Sequence, residues 1–131
     1  MISLTNFGEN LVNNVLGTPL ESCCTDPITG FFRDGYCRTH GQDFGKHWLC
    51  AVMTDEFLQY SKACGNDLIT AKPEYDFVGL KAGDAWCLCT LRWLEALEAG
   101  CAPPLKLRAC HHLALTLVDI EILSRYALAD G

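Results

Sequence analysis

The chain has no concentrated basic stripe: its ten Lys and Arg are scattered singly between positions 33 and 125, and the net charge is -6. That argues against a phosphate backbone as a partner, because counterion release needs clustered cations. Long apolar runs are also missing. The longest, such as 48–53, fall far short of the ~20 residues that a membrane helix needs, which excludes a helical span. Residues 1–17 contain no Lys or Arg and are interrupted by Asn6, Glu9, Asn10, Asn13 and Asn14, so they do not read as a signal peptide. The expected location is the cytoplasm. No low-complexity segment or internal linker breaks the 131 residues, and no Cys-x2-Cys knuckle occurs anywhere.

What is present is a globular composition, half apolar and one fifth charged, of a length that makes one domain. Residues 1–13 read as an N-terminal arm and 14–131 as a single globular domain. Nine cysteines could suggest a disulfide scaffold. The count is odd, however, and a domain of this size can stand on its own core, so reduced thiols, mostly buried as small hydrophobes, are the expectation.

The organising stretch is 83–100. Gly83-Asp84 is a turn, Trp86-Cys87-Leu88-Cys89 a buried strand, Thr90 a helix cap, and Gly100 a stop, with Pro103-Pro104 preventing a restart. Trp93, Leu94, Ala96 and Leu97 form the apolar side of that helix and Arg92, Glu95 and Glu98 its wet side. The same grammar occurs earlier: an apolar strand over 47–53, Thr54 as cap, Asp55 and Glu56 in the first turn, and Gly65 as terminator. Asp34-Gly35 signals a two-residue hairpin, and Asp26-Pro27 with Gly30 a tight reversal. Residues 66–84 read as a long loop with a short strand near 77–80, a length that points to function. Residues 105–108 alternate like an edge strand, 110–118 fit either a strand or a helix, and Asp119 caps a last helix. The fold class expected is α+β: a small mixed sheet, two or three helices and long ordered loops.

Several stretches together resemble the domain of unknown function family 2237. They are Asn14-Val15-Leu16-Gly17, Thr29-Gly30-Phe31, Arg33-Asp34-Gly35-Tyr36-Cys37, Cys50-Ala51-Val52-Met53-Thr54, Gly65-Asn66-Asp67-Leu68, Gly79-Leu80, Gly83-Asp84, Trp86-Cys87-Leu88-Cys89 and Ala102-Pro103-Pro104. The family carries no assigned activity, substrate or catalytic residue, so the resemblance implies no mechanism. It does single out positions. The family pattern has Cys where this chain has Cys23, Cys37, Cys50, Cys87 and Cys89, and His where it has His47 and His111. Cys24, Cys64, Cys101, Cys110, His40 and His112 fall outside the pattern, and Cys110 stands where the pattern has Thr.

Three chemistries are open. A zinc site could draw on Cys37, Cys50 and Cys87, with Cys89 and His47 nearby; alternation puts Cys87 and Cys89 on one strand face, whereas His47 and Cys50 in one strand would point oppositely. Alternatively, Cys89 could be a nucleophile, close to the positive end of a helix, with His47 or His111 as base and Asp34 as a third group. The third is a polar pocket for a small polar or anionic ligand, formed by Arg33, Asp43, Asn66, Asp67, Asp84, Thr90 and Arg92 beside glycines and element ends. If the two main strands run parallel, Thr54, Thr90 and Arg92 gather at one sheet edge. A noncatalytic homodimer is the competing class, with Trp48, Trp86, Trp93, Phe31 and Phe32 as its face. Core packing is the commoner use of such aromatics, just as turn geometry alone accounts for Asp34, Asp67 and Asp84.

Overall fold

A computed structural model describes residues 12–30, 33–38, 46–75 and 77–129. Two strands, β1 (Leu49–Val52) and β2 (Ala85–Leu88), pair antiparallel with Cys50 opposite Cys87 and Val52 opposite Ala85. Each leads into a nine-residue helix: α1 (Asp55–Ala63) after β1, α2 (Thr90–Glu98) after β2. A shorter helix, α3 (Ile120–Arg125), closes the chain. This is the α+β single domain that the patterning predicts. Among the described residues no helix is long and apolar enough to cross a membrane.

Local chemistry accounts for the helices. Thr54 holds an extended conformation and its hydroxyl accepts from the Phe57 amide at 3.0 Å, so one orphan donor of the first turn is satisfied while Asp55 and Glu56 complement the dipole. Phe57, Leu58 and Ser61 are buried, one turn apart on the inner face; Cys64, expected on that face, is exposed. Gly65 leaves α1 at φ 93° and Gly100 follows α2 at φ 81°, the left-handed exit that costs glycine least. Trp93 is completely buried, its indole N-H donates to the Pro103 carbonyl at 3.0 Å, and its ring meets Tyr126 edge-on at 5.2 Å.

The segment after the two prolines covers the free edge of β1. The Val52 amide donates to the Pro104 carbonyl, that of Lys106 to Cys50, and that of His111 to Trp48. Leu105 pairs with Ala51 on one side and with Ala127 on the other. The edge strand expected at 105–108 therefore survives only at Leu105, because the chain turns into a 3-10 helix at Leu107–Ala109. The ambiguous 110–118 segment is also a 3-10 helix, His112–Thr116. In the long loop a 3-10 turn occupies Pro73–Tyr75, Lys72 pairs with Phe77, and the Leu80 amide reaches the Leu68 carbonyl.

Four expectations need correction. The strands run antiparallel, so β1 and β2 end at opposite edges and Thr54 and Thr90 cannot gather at one edge. Thr90 is the first residue of α2 and Cys89 the cap; the buried Thr90 hydroxyl donates to the Lys46 carbonyl at 2.8 Å instead. Residues 33–38 contain no strand, because Arg33 adopts φ 55° and Gly35 φ 89° and the chain coils back, with the Gly35 amide on the Thr29 carbonyl. The three tryptophans are buried, which removes them from any homodimer face. Phe31, Phe32 and residues 1–11 of the proposed arm lie outside the described residues.

Candidate functional site

The cysteines depart furthest from expectation. Four of the nine are paired, as Cys23–Cys50 and Cys37–Cys87, with Cα separations of 5.6 Å and 5.2 Å. Cys24, Cys64, Cys89, Cys101 and Cys110 are free. Reduced thiols followed from counting, but pairing depends on which side chains meet in space, and both bonds close over long stretches of 27 and 50 residues. The metal set Cys37, Cys50 and Cys87 is thus wholly engaged, and Cys87 faces Cys37 rather than sharing an ion with Cys89. Cys23, left out of that set, belongs to the same cluster: the sulfurs of Cys23, Cys37 and Cys87 lie within 4.8 Å of one another.

Over this cluster opens a cleft of about 410 Å³ lined by Gly30, Arg33, His47, Tyr75, Trp86 and Cys87. Its position follows from the register. Antiparallel pairing puts the residues before Leu49 beside those after Leu88, and Thr90 clasps that junction by donating to Lys46 from both its amide and its hydroxyl. His47 is half-buried at this end. Arg33 enters from the opposite loop in the left-handed region, where a non-glycine residue is uncommon. Its Nη1 donates to the Gly30 carbonyl at 2.8 Å, and the guanidinium carbon lies 5.3 Å from the centre of the Trp86 ring, a cation-π distance. Gly30 has no freedom to change: at φ 101° a β-carbon would run into the Tyr36 carbonyl oxygen. Lys46, outside the lining of the cleft, has its Nζ 5.5 Å from the centre of the Trp48 ring.

The other sequence-predicted residues are dispersed. Asp34 is spent on its own loop, accepting from Arg38 Nε at 2.9 Å and from the Tyr36 amide. Asp67 accepts from the Ile69 and Thr70 amides; hydrogen bonds from the Thr70 side chain and from these amides hold its carboxyl at about 2. Asn66 closes the end of α1, its amide donating to the Ser61 carbonyl and its carbonyl accepting from the Ser61 hydroxyl. Arg92 reaches Glu95 and the Cys64 carbonyl on the outer face of α2. Asp84 ties down the Lys81 turn and lines a separate cleft with Asp26 and Pro27. Cys89, half-buried at the α2 cap, is outside the lining of the Arg33 cleft, and Asp43 lies outside the described residues. His111 is buried away from the cleft; its Nδ1 accepts from the Leu113 amide at 3.0 Å, and burial, with His112 beside it, lowers its pKa to about 4.

A model of the family described as "Uncharacterized protein conserved in bacteria (DUF2237)" matches residues 13–127. The chain belongs to this family. Among curated proteins no match to it was found. Of the five cysteines in the DUF2237 pattern, Cys23, Cys37, Cys50 and Cys87 are the four that pair and Cys89 is free, as are the four outside the pattern. Tyr75, Trp86 and Gly30 were not predicted as lining residues. The quoted Thr29-Gly30 and Trp86-Cys87 stretches pointed toward Gly30 and Trp86, and only the length of the 66–84 loop pointed toward Tyr75.

Proposed function

We propose that this DUF2237 protein binds a small organic anion in the cleft between Arg33 and His47. The observation that carries this is the placement of Arg33. Among the described residues no carboxylate pairs with it, one of its guanidinium nitrogens is anchored on Gly30, and its guanidinium carbon lies 5.3 Å from the centre of the Trp86 ring. Anchoring orients the remaining N-H fork, the geometry that suits bidentate contact with carboxylate or phosphate. Holding a non-glycine residue in the left-handed region costs of order 1 kcal/mol, and such strain concentrates at ligand sites. Tyr75 at the exposed rim and Trp86 in the wall give the cleft aromatic faces, so a carboxylate or phosphate on a flat apolar body fits its chemistry better than an inorganic ion.

The test is thermal unfolding of the oxidised protein with inorganic phosphate and with benzoate. Binding to the native state raises Tm with ligand concentration, and benzoate should act at lower concentration than phosphate. Arg33→Asn, which tolerates the left-handed backbone while removing the charge, should abolish the rise. No stabilisation by either anion, or an undiminished effect in Arg33→Asn, would refute the reading.

Thiol chemistry at Cys89 is the second reading, favoured by its free sulfur at the cap of α2 on the edge that carries His47. It requires that Cys89 alkylate faster than exposed Cys64, despite its lower exposure.

A further inference from the structure

The four paired cysteines converge on one buried point from four separate segments. Cys50 and Cys87 face each other across the strand pair, while Cys23 and Cys37 come in from the two loops that precede β1. Relative exposures are 4% for Cys23, 0% for Cys37 and Cys50, and 2% for Cys87. Two independent cross-links need not touch. Here the sulfurs of Cys23, Cys37 and Cys87 lie within 4.8 Å of one another and the sulfur of Cys50 is bonded to that of Cys23.

We propose that the reduced protein holds one zinc ion on Cys23, Cys37, Cys50 and Cys87, and that the doubly disulfide-bonded form is the metal-free, oxidised state of that site. Zinc bound to four thiolates has Zn-S bonds of about 2.3 Å, so its tetrahedron has sulfur-sulfur edges of about 3.8 Å. The sulfurs of Cys23, Cys37 and Cys87 already lie within 4.8 Å of one another, a spread that contains that spacing, and Cys50, bonded to Cys23, would complete the set by rotation of its side chain once the disulfide opens. Four protein ligands leave no open position, which makes the site structural rather than catalytic. A tetrathiolate zinc centre carries two negative charges, and Arg33, which lines the cleft together with Cys87, places a cation on its solvent side.

The chemistry balances with a dithiol as reductant. Each protein disulfide takes two electrons and two protons from one dithiol, giving two thiols and one molecule of oxidised dithiol. Zinc binding then releases the four thiol protons to solvent. A small-molecule disulfide runs the cycle backward: two molecules of it accept four electrons from the four thiolates and four protons from solvent, leaving four small thiols, two protein disulfides and free zinc. Redox poise would therefore decide whether the core is cross-linked by sulfur or by metal.

The test uses the full chain, reduced with a phosphine, desalted without oxygen, and titrated with cobalt and then zinc. One equivalent of cobalt should produce the d-d and sulfur-to-metal absorption of a tetrahedral tetrathiolate, zinc should displace it, and X-ray absorption of the zinc form should show four sulfur ligands. The oxidised protein should bind none. Cys50→Ser should weaken binding at least about tenfold, whereas Cys24→Ser and Cys64→Ser should leave it unchanged. If the reduced protein unfolds without metal, recovery of its near-ultraviolet circular dichroism on adding zinc supports the site, and failure to recover overturns it. A folded, reduced chain that takes up no cobalt, nitrogen or oxygen ligands in the absorption spectrum, or wild-type affinity in Cys50→Ser overturns it equally. Anion binding is measured on the oxidised protein, so the two proposals stand or fall separately.

Discussion

Opening either disulfide should destabilise the fold by an amount set by the loop it closes. In the chain-entropy treatment, a link across 27 residues removes about 3.6 kcal/mol of denatured-state entropy at 25 °C, and one across 50 residues about 4.1 kcal/mol. Together they approach 8 kcal/mol, comparable with the whole 5–15 kcal/mol by which native domains are stable. Cys23→Ala with Cys50→Ala, and Cys37→Ala with Cys87→Ala, should each still fold, with unfolding free energies about 3–4 kcal/mol below the oxidised wild type. The protein with all four thiols reduced and no metal should be marginal. Urea unfolding followed by the fluorescence of the buried tryptophans measures this. The slope m should rise in each double variant, because a chain freed of a cross-link exposes more surface on unfolding. A double variant within about 1 kcal/mol of wild type and with an unchanged slope would show that the cross-link does not constrain the denatured chain as argued.

Two other expectations rest on buried polar groups. Asn14, 1% exposed, donates to the Thr18 hydroxyl and to the Pro19 and Arg108 carbonyls and accepts from the Leu16 and Thr18 amides. Asn14→Ala strands several of these and should cost about 2–4 kcal/mol in chemical denaturation; a loss below about 1 kcal/mol would mean that water replaces the side chain. His111 has a folded pKa near 4, below its unfolded value near 6.5, so between these values the unfolded chain binds the extra proton. Its contribution is complete above pH 6.5 and is lost as pH falls toward 4, a decline of about 3 kcal/mol that His111→Gln should remove from the pH-stability profile. The ring should also be the Nε2-H tautomer, since Nδ1 accepts from Leu113, and nitrogen shifts of the imidazole read this directly.

The two strand-helix-glycine units were legible before folding because their determinants are local. Thr54 caps a helix by bonding three residues ahead, Gly65 and Gly100 end helices through their own φ, and a 3.6-residue period buries Trp93 with Ala96. Where such a rule failed it met a distant competitor. Thr90 had the composition of a cap, but Lys46, 44 positions away, offered its hydroxyl a carbonyl. Leu105 had the alternation of a strand, but only one residue of it found partners before the backbone turned.

The amino-acid order by itself thus determined the two long helices, the glycines that end them, the interior character of β2 and the α+β class, all of which depend on groups a few residues apart. Strand direction, the pairing of four cysteines among nine, and the meeting of Arg33 with His47 over Trp86 were decided only in three dimensions. Each depends on contacts between segments far apart in the chain. Nothing in a linear pattern records which thiol lies opposite which, because that follows from the register of β1 on β2 and from the path of two irregular loops.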